Sequence, residues 1–229
     1  TEKLRSALLS SVSHDLRSPL AAMIGSADTL KYYGEQMPET DRHELLDTIH
    51  IEGERLDRYI QNLLDMTRLG HQGLTLSRAW IGVDELIGSA TERLKRYQPH
   101  VSINTSFAEE LPALYVHPAL IEQAVFNVLE NAAKFSPENV PIEVNIQQIE
   151  SYLQIEIEDQ GVGIPEDERE QIFDMFYTMQ RGDRGKTGTG LGLSIVKAII
   201  GAHMGSIEAF SGKHGQGTLI RIRLPLHQD

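Results

Sequence analysis

Apolar residues recur at helical spacing from the start of the chain to about Leu69, with one interruption. Leu4, Leu8, Val12, Leu16, Leu20, Ile24, Ala27 and Leu30 make the first stripe. After the turn-forming run 34–38, a second stripe takes in Leu45, Ile49, Leu56, Ile60 and Leu63. Two long amphipathic helices joined by so short a connection must lie antiparallel. A lone hairpin leaves its apolar stripe half covered, so a second copy completing a four-helix bundle is expected, a homodimer through this region.

The period changes after the glycine-bounded stretch 70–73. Helices are predicted over 83–97, over 118–135 with Pro118 in the first turn, and over 191–203. Strands are predicted over 101–107, 142–149, 152–158, 206–210 and 218–224. Strands and helices mixed without a strict alternating rhythm point to an α+β layer rather than a doubly wound sheet. The expected organisation is an all-α helical hairpin, 1–69, a linker, 70–80, and a layered domain of helices and strands, 81–229. No apolar run approaches the roughly 20 residues of a membrane-spanning helix. The absence of cysteine removes disulfides and zinc–thiolate sites and fits a reducing compartment. A formal net charge of −12 argues against a nucleic-acid surface, yet leaves room for a nucleotide held by a few local cations and N–H groups.

Four segments of the second half carry that possibility. Asn127, Asn131 and Lys134 share one face of the helix 118–135. An amide oxygen can complete the shell of Mg²⁺, whose other ligands are waters and phosphates, and Lys134 supplies a point charge for phosphate. Asp159-Gln-Gly161-Val-Gly163 follows a strand; its carboxylate can accept a hydrogen bond from an exocyclic amine, and its glycines admit a flat base. Gly188-Thr-Gly190-Leu-Gly192 opens the last helix, where freed N–H groups favour phosphate. Between them lie Phe173, Phe176 and the polar run 180–187 with Arg181, Arg184 and Lys186, a candidate lid over phosphates. Each segment alone also occurs as ordinary structure; their order and spacing are the signal.

In that order they resemble the N, G1, F and G2 boxes of the ATPase superfamily that joins histidine kinases to gyrase-type enzymes, and Gly215-Gln-Gly217-Thr218 adds a further match. The resemblance implies an α/β sandwich as the fold of 81–229, with ATP and Mg²⁺ as ligands. It implies that Asn131 ligates the metal, Lys134 contacts phosphate, Asp159 reads the adenine amino group, Phe135 stacks on adenine, and Thr218 supports Asp159 through water.

Gyrase-like members place a glutamate four residues before the metal asparagine to activate water. Here that position is Asn127, and an amide cannot take the proton. Transfer to a protein nucleophile is favoured over hydrolysis. Ser13-His14-Asp15-Leu16-Arg17-Ser18-Pro19-Leu20 resembles the H-box of sensor histidine kinases. With Val12, Leu16 and Leu20 as the buried stripe, His14 falls on the opposite, solvent face, where another domain can reach it. Neutral imidazole is a competent nucleophile near pH 7. The resemblance assigns Asp15 as the partner that fixes the imidazole tautomer and accepts its proton. It also assigns Ser18, one turn beyond His14, to orienting water for dephosphorylating a partner's aspartyl-phosphate. Pro19 is expected to bend the helix. A Ser13-His14-Asp15 hydrolase triad is excluded, because consecutive helical residues diverge by about 100° each.

The expected activity is ATP-dependent autophosphorylation of His14 and transfer to the receiver domain of a response regulator. An ATP hydrolase or ATP-gated clamp is the alternative on the same fold, and a dimerisation scaffold with a dead nucleotide site is the non-enzymatic one. The chain reads as a cytoplasmic fragment lacking its sensor, with any membrane anchor upstream.

Overall fold

The computed structural model describes residues 2–70, 77–108, 110–174, 177 and 192–226; the side chains of 2–15, 55, 58, 59, 61–70, 97 and 214 lie outside the description. The chain divides into two compact units, Thr1–Asp65 and Met66–Asp229.

The first unit is a helical hairpin. Helix α1 (Glu2–Tyr33) and helix α2 (Glu39–Gly70) are joined by the 3-10 turn Gly34–Gln36. The helices approach closely at Gly53, where a Cβ would sit 3.5 Å from Met23 Cε. Pro19 lies inside α1 and is buried, and α1 runs through it as one helix. The stripe expected along Leu16 and Leu20 is only partly covered: Leu16 is half-buried, whereas Leu20 is 45% and Ile24 53% exposed. On α2, Leu46 and Ile60 are exposed as well. A single neighbouring helix cannot cover an apolar stripe this wide.

The second unit is a five-stranded sheet with helices on one face. In chain order it comprises β1 (Ala79–Ile81), α3 (Val83–Tyr97), β2 (Ile103–Phe107), β3 (Leu114–Val116), α4 (Pro118–Phe135), β4 (Ile142–Ile149), β5 (Tyr152–Glu158), α5 (Gly192–Ala202), β6 (Ser206–Ser211) and β7 (Thr218–Pro225). The main sheet has the order β2-β4-β5-β7-β6, with β2 parallel to β4 and the other pairs antiparallel. Strands β1 and β3 form a separate two-stranded antiparallel sheet that the periodicity did not announce.

Helix α3 buries Val83, Leu86, Ile87, Ala90 and Leu94, the three-and-four spacing of one helical face. It stops at Gln98, whose N–H bonds Leu94 O, because Pro99 disfavours helical geometry in the residue before it. Pro118 opens α4 at the position where a missing N–H costs nothing, and Pro137 follows its cap, Ser136. Alternation sorts the sheet. Ile142, Val144 and Ile146 of β4, Leu153, Ile155 and Ile157 of β5, and Ile220, Ile222 and Leu224 of β7 are buried, with Ile195, Val196, Ile199 and Ile200 of α5 completing the core. The other face is polar: Arg221 Nε donates to Glu156 Oε1 at 2.8 Å and Arg223 Nε to Gln154 Oε1 at 2.9 Å. No helix among the described residues is long and apolar enough to cross a membrane.

Candidate functional site

Strand parity decides where Asp159 points. Leu153, Ile155 and Ile157 face the core, so Asp159, two residues further on, falls on the same side and is 7% exposed. Thr218, the first residue of β7, lies on the same inner face as Ile220 and Ile222 and is also buried. The two meet directly. Asp159 N–H bonds Thr218 O at 2.9 Å, and Thr218 N–H returns to Asp159 Oδ1 at 3.2 Å. Gly161 N–H donates to the same oxygen at 2.8 Å, the two-residue reach of an Asx turn. Thr218 meets Asp159 directly, through its main-chain N–H and its hydroxyl, because β5 and β7 are hydrogen-bonded neighbours. Burial pushes the Asp159 carboxyl above its ordinary value. The N–H groups of Gly161 and Thr218 and the Thr218 hydroxyl oppose that rise, and the adjacent Glu158 charge adds to it. The result is a carboxylate held in one orientation at the edge of the helix layer, a fixed acceptor.

Glycines close the loops around it. Gly217 has φ +74°, and a Cβ there would overlap the carbonyl oxygen of Asp159. A Cβ on Gly161 would lie 2.5 Å from the carbonyl oxygen of Phe135, the last residue of α4. Gly163, with φ +72°, abuts Gly217 O. The loop after β5, the turn before β7 and the end of α4 are thus interlocked at backbone distance. Glu158, on the opposite face, accepts the N–H of Lys213 and pairs with its Nζ at 3.5 Å, which holds the turn from outside.

Helix α4 contributes the polar face foreseen for it. Asn127 is buried, Asn131 and Lys134 are half-buried, and Phe135 is 41% exposed, with Lys134 Nζ 5.1 Å from its ring centroid. Asn131 lies beside the start of α5, since a Cβ on Gly192 would stand 3.7 Å from Asn131 Nδ2. The structure therefore brings Asn131, Phe135, Asp159, Gly161, Gly163, Gly192 and Thr218 around the ends of α4, β5, β7 and α5. The amide oxygen of Asn127, which the sequence offers to a ligand, already accepts Gln123 Nε2 at 2.9 Å. Arg181, Arg184, Lys186, Gly188 and Gly190 lie outside the described residues, as do Phe176 and the side chains of His14 and Asp15. Ser18 is exposed on α1.

Other residues absent from the motif reading hold the surrounding elements. Gln123 could have been found, being four residues before Asn127 on one helix. Arg93, which donates to Gln123 from α3, and His203, whose ring accepts the His117 N–H at the start of α4, carry no local signal. Tyr177 donates to Glu168 at 2.6 Å, which pushes its phenol up to about 12.

Residues 116–228 match the family described as histidine kinase-, DNA gyrase B-, and HSP90-like ATPase, and residues 4–72 match the His Kinase A (phospho-acceptor) domain. The structure of a mycobacterial sensor histidine kinase, MprB, is 31% identical, with a TM-score of 0.57 over 65% of this chain and 97% of that one. The chain belongs to the sensor histidine kinase family. A curated sensor kinase relative, the sensor protein KdpD of Clostridium acetobutylicum, is 38% identical over 98% of this chain, which spans 25% of that protein's length. The fold extends over both units in the histidine kinase ThkA, solved in complex with the response regulator TrrA: TM-score 0.74 at 22% identity, covering 99% of this chain and 64% of that one. The phospho-acceptor match covers the α1–α2 hairpin of this chain, and the ATPase match runs from β3 to the end of β7.

Proposed function

We propose that this chain phosphorylates His14 from ATP and passes the phosphoryl group to an aspartate in the receiver domain of a response regulator, and that it also dephosphorylates that regulator. Residues 1–69 would carry the acceptor, 81–229 the catalyst, with 70–80 between them. The observation that carries the reading is Asp159: a buried carboxylate fixed by Gly161 and Thr218, beside the polar end of α4, in a chain whose other half presents an H-box on a helical hairpin.

In this reading Asp159 accepts a hydrogen bond from the adenine amino group, and Phe135, with its exposed ring, stacks on the base. Gly161 and Gly163 keep side chains out of the space the base needs. Lys134 and the cations of 181–186 attract the phosphates, and Gly188, Gly190 and Gly192 offer main-chain N–H groups at the start of α5. Among the described residues no group of three or more His, Cys, Asp or Glu side chains is arranged to hold a metal ion, and Asn131 offers one neutral amide oxygen. That donor set suits Mg²⁺ arriving on the phosphates; when bound, the metal neutralises charge on the phosphoryl oxygens. The lone pair of neutral His14 attacks the γ-phosphorus, the bond to the ADP oxygen breaks, and the imidazole proton passes to Asp15. Water is a poor competitor, because Asn127 cannot act as a base and its oxygen is already engaged by Gln123. Exposed Leu20, Ile24, Leu46 and Ile60 support pairing of two hairpins into a four-helix bundle.

Incubation with γ-labelled ATP tests the proposal. The chain should acquire a label that is acid-labile and base-stable, and His14→Gln should lose it while keeping ATP affinity within about twofold, since acceptor and nucleotide residues lie in separate units. Undiminished label on His14→Gln would remove His14 from its role.

A further inference from the structure

Arg93 lies on α3, outside every motif of the nucleotide site, yet it controls a side chain within one. Its Nη1 donates to Gln123 Oε1 at 2.7 Å, and Gln123 Nε2 donates to Asn127 Oδ1 at 2.9 Å. A guanidinium has only donors, so Gln123 can meet it only with its oxygen. Gln123 must then present its NH₂ group to residue 127, and Asn127 must answer with its own oxygen. One cation thus decides the orientation of two amides. Arg93 is itself anchored to α4, lying 4.0 Å from the Phe126 ring centroid and 3.5 Å from Glu122.

The consequence falls on Asn127 Nδ2. Asn127 is 4% exposed, and its NH₂ nitrogen is buried with no hydrogen-bond partner among the described residues. Buried donors are rarely left unmatched, because the cost is comparable to a lost hydrogen bond. Asn127 is one helical turn before Asn131 on the same face of α4.

We propose that Arg93 and Gln123 are positioning residues that hold Asn127 with its oxygen turned inward, so that its NH₂ group serves as a hydrogen-bond donor to a phosphate oxygen of the bound nucleotide. The inference rests on this face of α4 being the phosphate side of an ATP site, as proposed above.

Gln123→Glu separates positioning from packing. A carboxylate at 123 still accepts from Arg93, but it has no hydrogen to give, so Asn127 must turn its NH₂ toward residue 123 and its oxygen toward the nucleotide. In the 229-residue chain, ATP and ADP affinity should fall about tenfold, the loss of one charge-assisted hydrogen bond. Adenosine affinity should stay within about twofold, and the melting temperature should match or exceed the parent's through the Arg93–Glu ion pair. Arg93→Lys, which keeps a donor-only cation, should retain the parent's ATP affinity. If Gln123→Glu does not fold, Asn127→Asp removes the same NH₂ group and should show the same split between ATP and adenosine. Parent-like ATP affinity in the folded variant, or equal losses for ATP and adenosine, would overturn the proposal. A parent chain that binds no ATP overturns the underlying reading, and this one with it.

Discussion

His203 Nε2 accepts the backbone N–H of His117 at 3.0 Å, which ties the end of α5 to the residue that starts α4. The opposite ring nitrogen, Nδ1, donates to Ile199 O at 2.8 Å. Only the neutral ring with its proton on Nδ1 satisfies both contacts, since an imidazolium has no acceptor for the His117 N–H. The titratable groups facing it are Arg78, whose Nη2 donates to Ala202 O at 3.3 Å, and His117 itself.

Burial holds the His203 ring below its ordinary pKa of 6.5, and Arg78 and His117 act in the same direction, against the Ile199 hydrogen bond. The unfolded chain therefore binds this proton more readily than the folded one. The stabilisation from His203 is complete above about pH 6.5 and is lost as pH falls below it toward the folded-state value. Thermal melts should show the parent losing stability across that window. His203→Gln should cost about 1–3 kcal/mol at pH 7.5 and show a shallower decline below pH 6.5. Parallel pH profiles for parent and variant would mean that His203 does not titrate on unfolding.

Asp159 has the opposite sign. Its carboxyl is raised above 3.8, so the folded state holds the proton more tightly than the unfolded chain does. Carrying the ionised group therefore costs stability above the folded pKa, and the cost disappears as pH falls through it. Asp159→Asn keeps an oxygen for the Gly161 and Thr218 N–H groups and sheds the buried charge. The variant should melt above the parent at pH 7.5, with the advantage shrinking in acid. Calorimetry should show that it no longer prefers ATP to GTP. A less stable variant with intact base preference would argue that Asp159 is a structural carboxylate.

Two neighbouring glycines with nearly equal backbone angles should respond differently. Gly215 has φ +75° with open space where a Cβ would go, whereas at Gly217, φ +74°, the Cβ would overlap Asp159 O. Gly215→Ala should cost only the left-handed penalty, about 1–2 kcal/mol. Gly217→Ala must also push apart the strand ends that hold Asp159, and should cost more than about 3 kcal/mol and weaken ATP binding at temperatures where the chain remains folded. Equal denaturation midpoints for the two variants would count against this packing.

Much of this architecture was legible because its signals are local. The buried face of α3, the Pro118 start of α4 and the inward position of Asp159 all follow from spacing or parity within a few residues. Strands β1 and β3 were missed because three residues leave no room for alternation; only their pairing, with Trp80 opposite Tyr115 and ring centroids 5.3 Å apart, defines them. Arg93 and His203 act across the fold, on partners 30 and 86 residues away, where no period reaches. Gln123 lay within reach of the helical four-residue rule, but a single glutamine amide carries no ligand signature of its own. Functional residues were thus readable where they sit at the end of an element, and unreadable where a distant side chain orients them.

Ser18 bears on the hydrolysis of a regulator's aspartyl-phosphate. Ser18 is exposed on α1, and α1 runs without interruption through Pro19, so the proline does not carry Ser18 off the helix. Four residues after His14, it stands about 40° around and one turn along, on the same face. A regulator docked with its aspartyl-phosphate against His14 would therefore bring that phosphorus within reach of a water held by the Ser18 hydroxyl. Serine lacks the methyl group that restricts χ1 in threonine, so the water is held less rigidly but by the same oxygen. Ser18→Ala should leave autophosphorylation of His14 unchanged and slow dephosphorylation of purified phospho-regulator about tenfold, the loss of one hydrogen bond in the transition state. Ser18→Thr should restore or exceed the parent rate. Indistinguishable dephosphorylation by Ser18→Ala and the parent would assign the water to another residue, and a parallel loss of autophosphorylation would show that the change had disturbed the helix around His14.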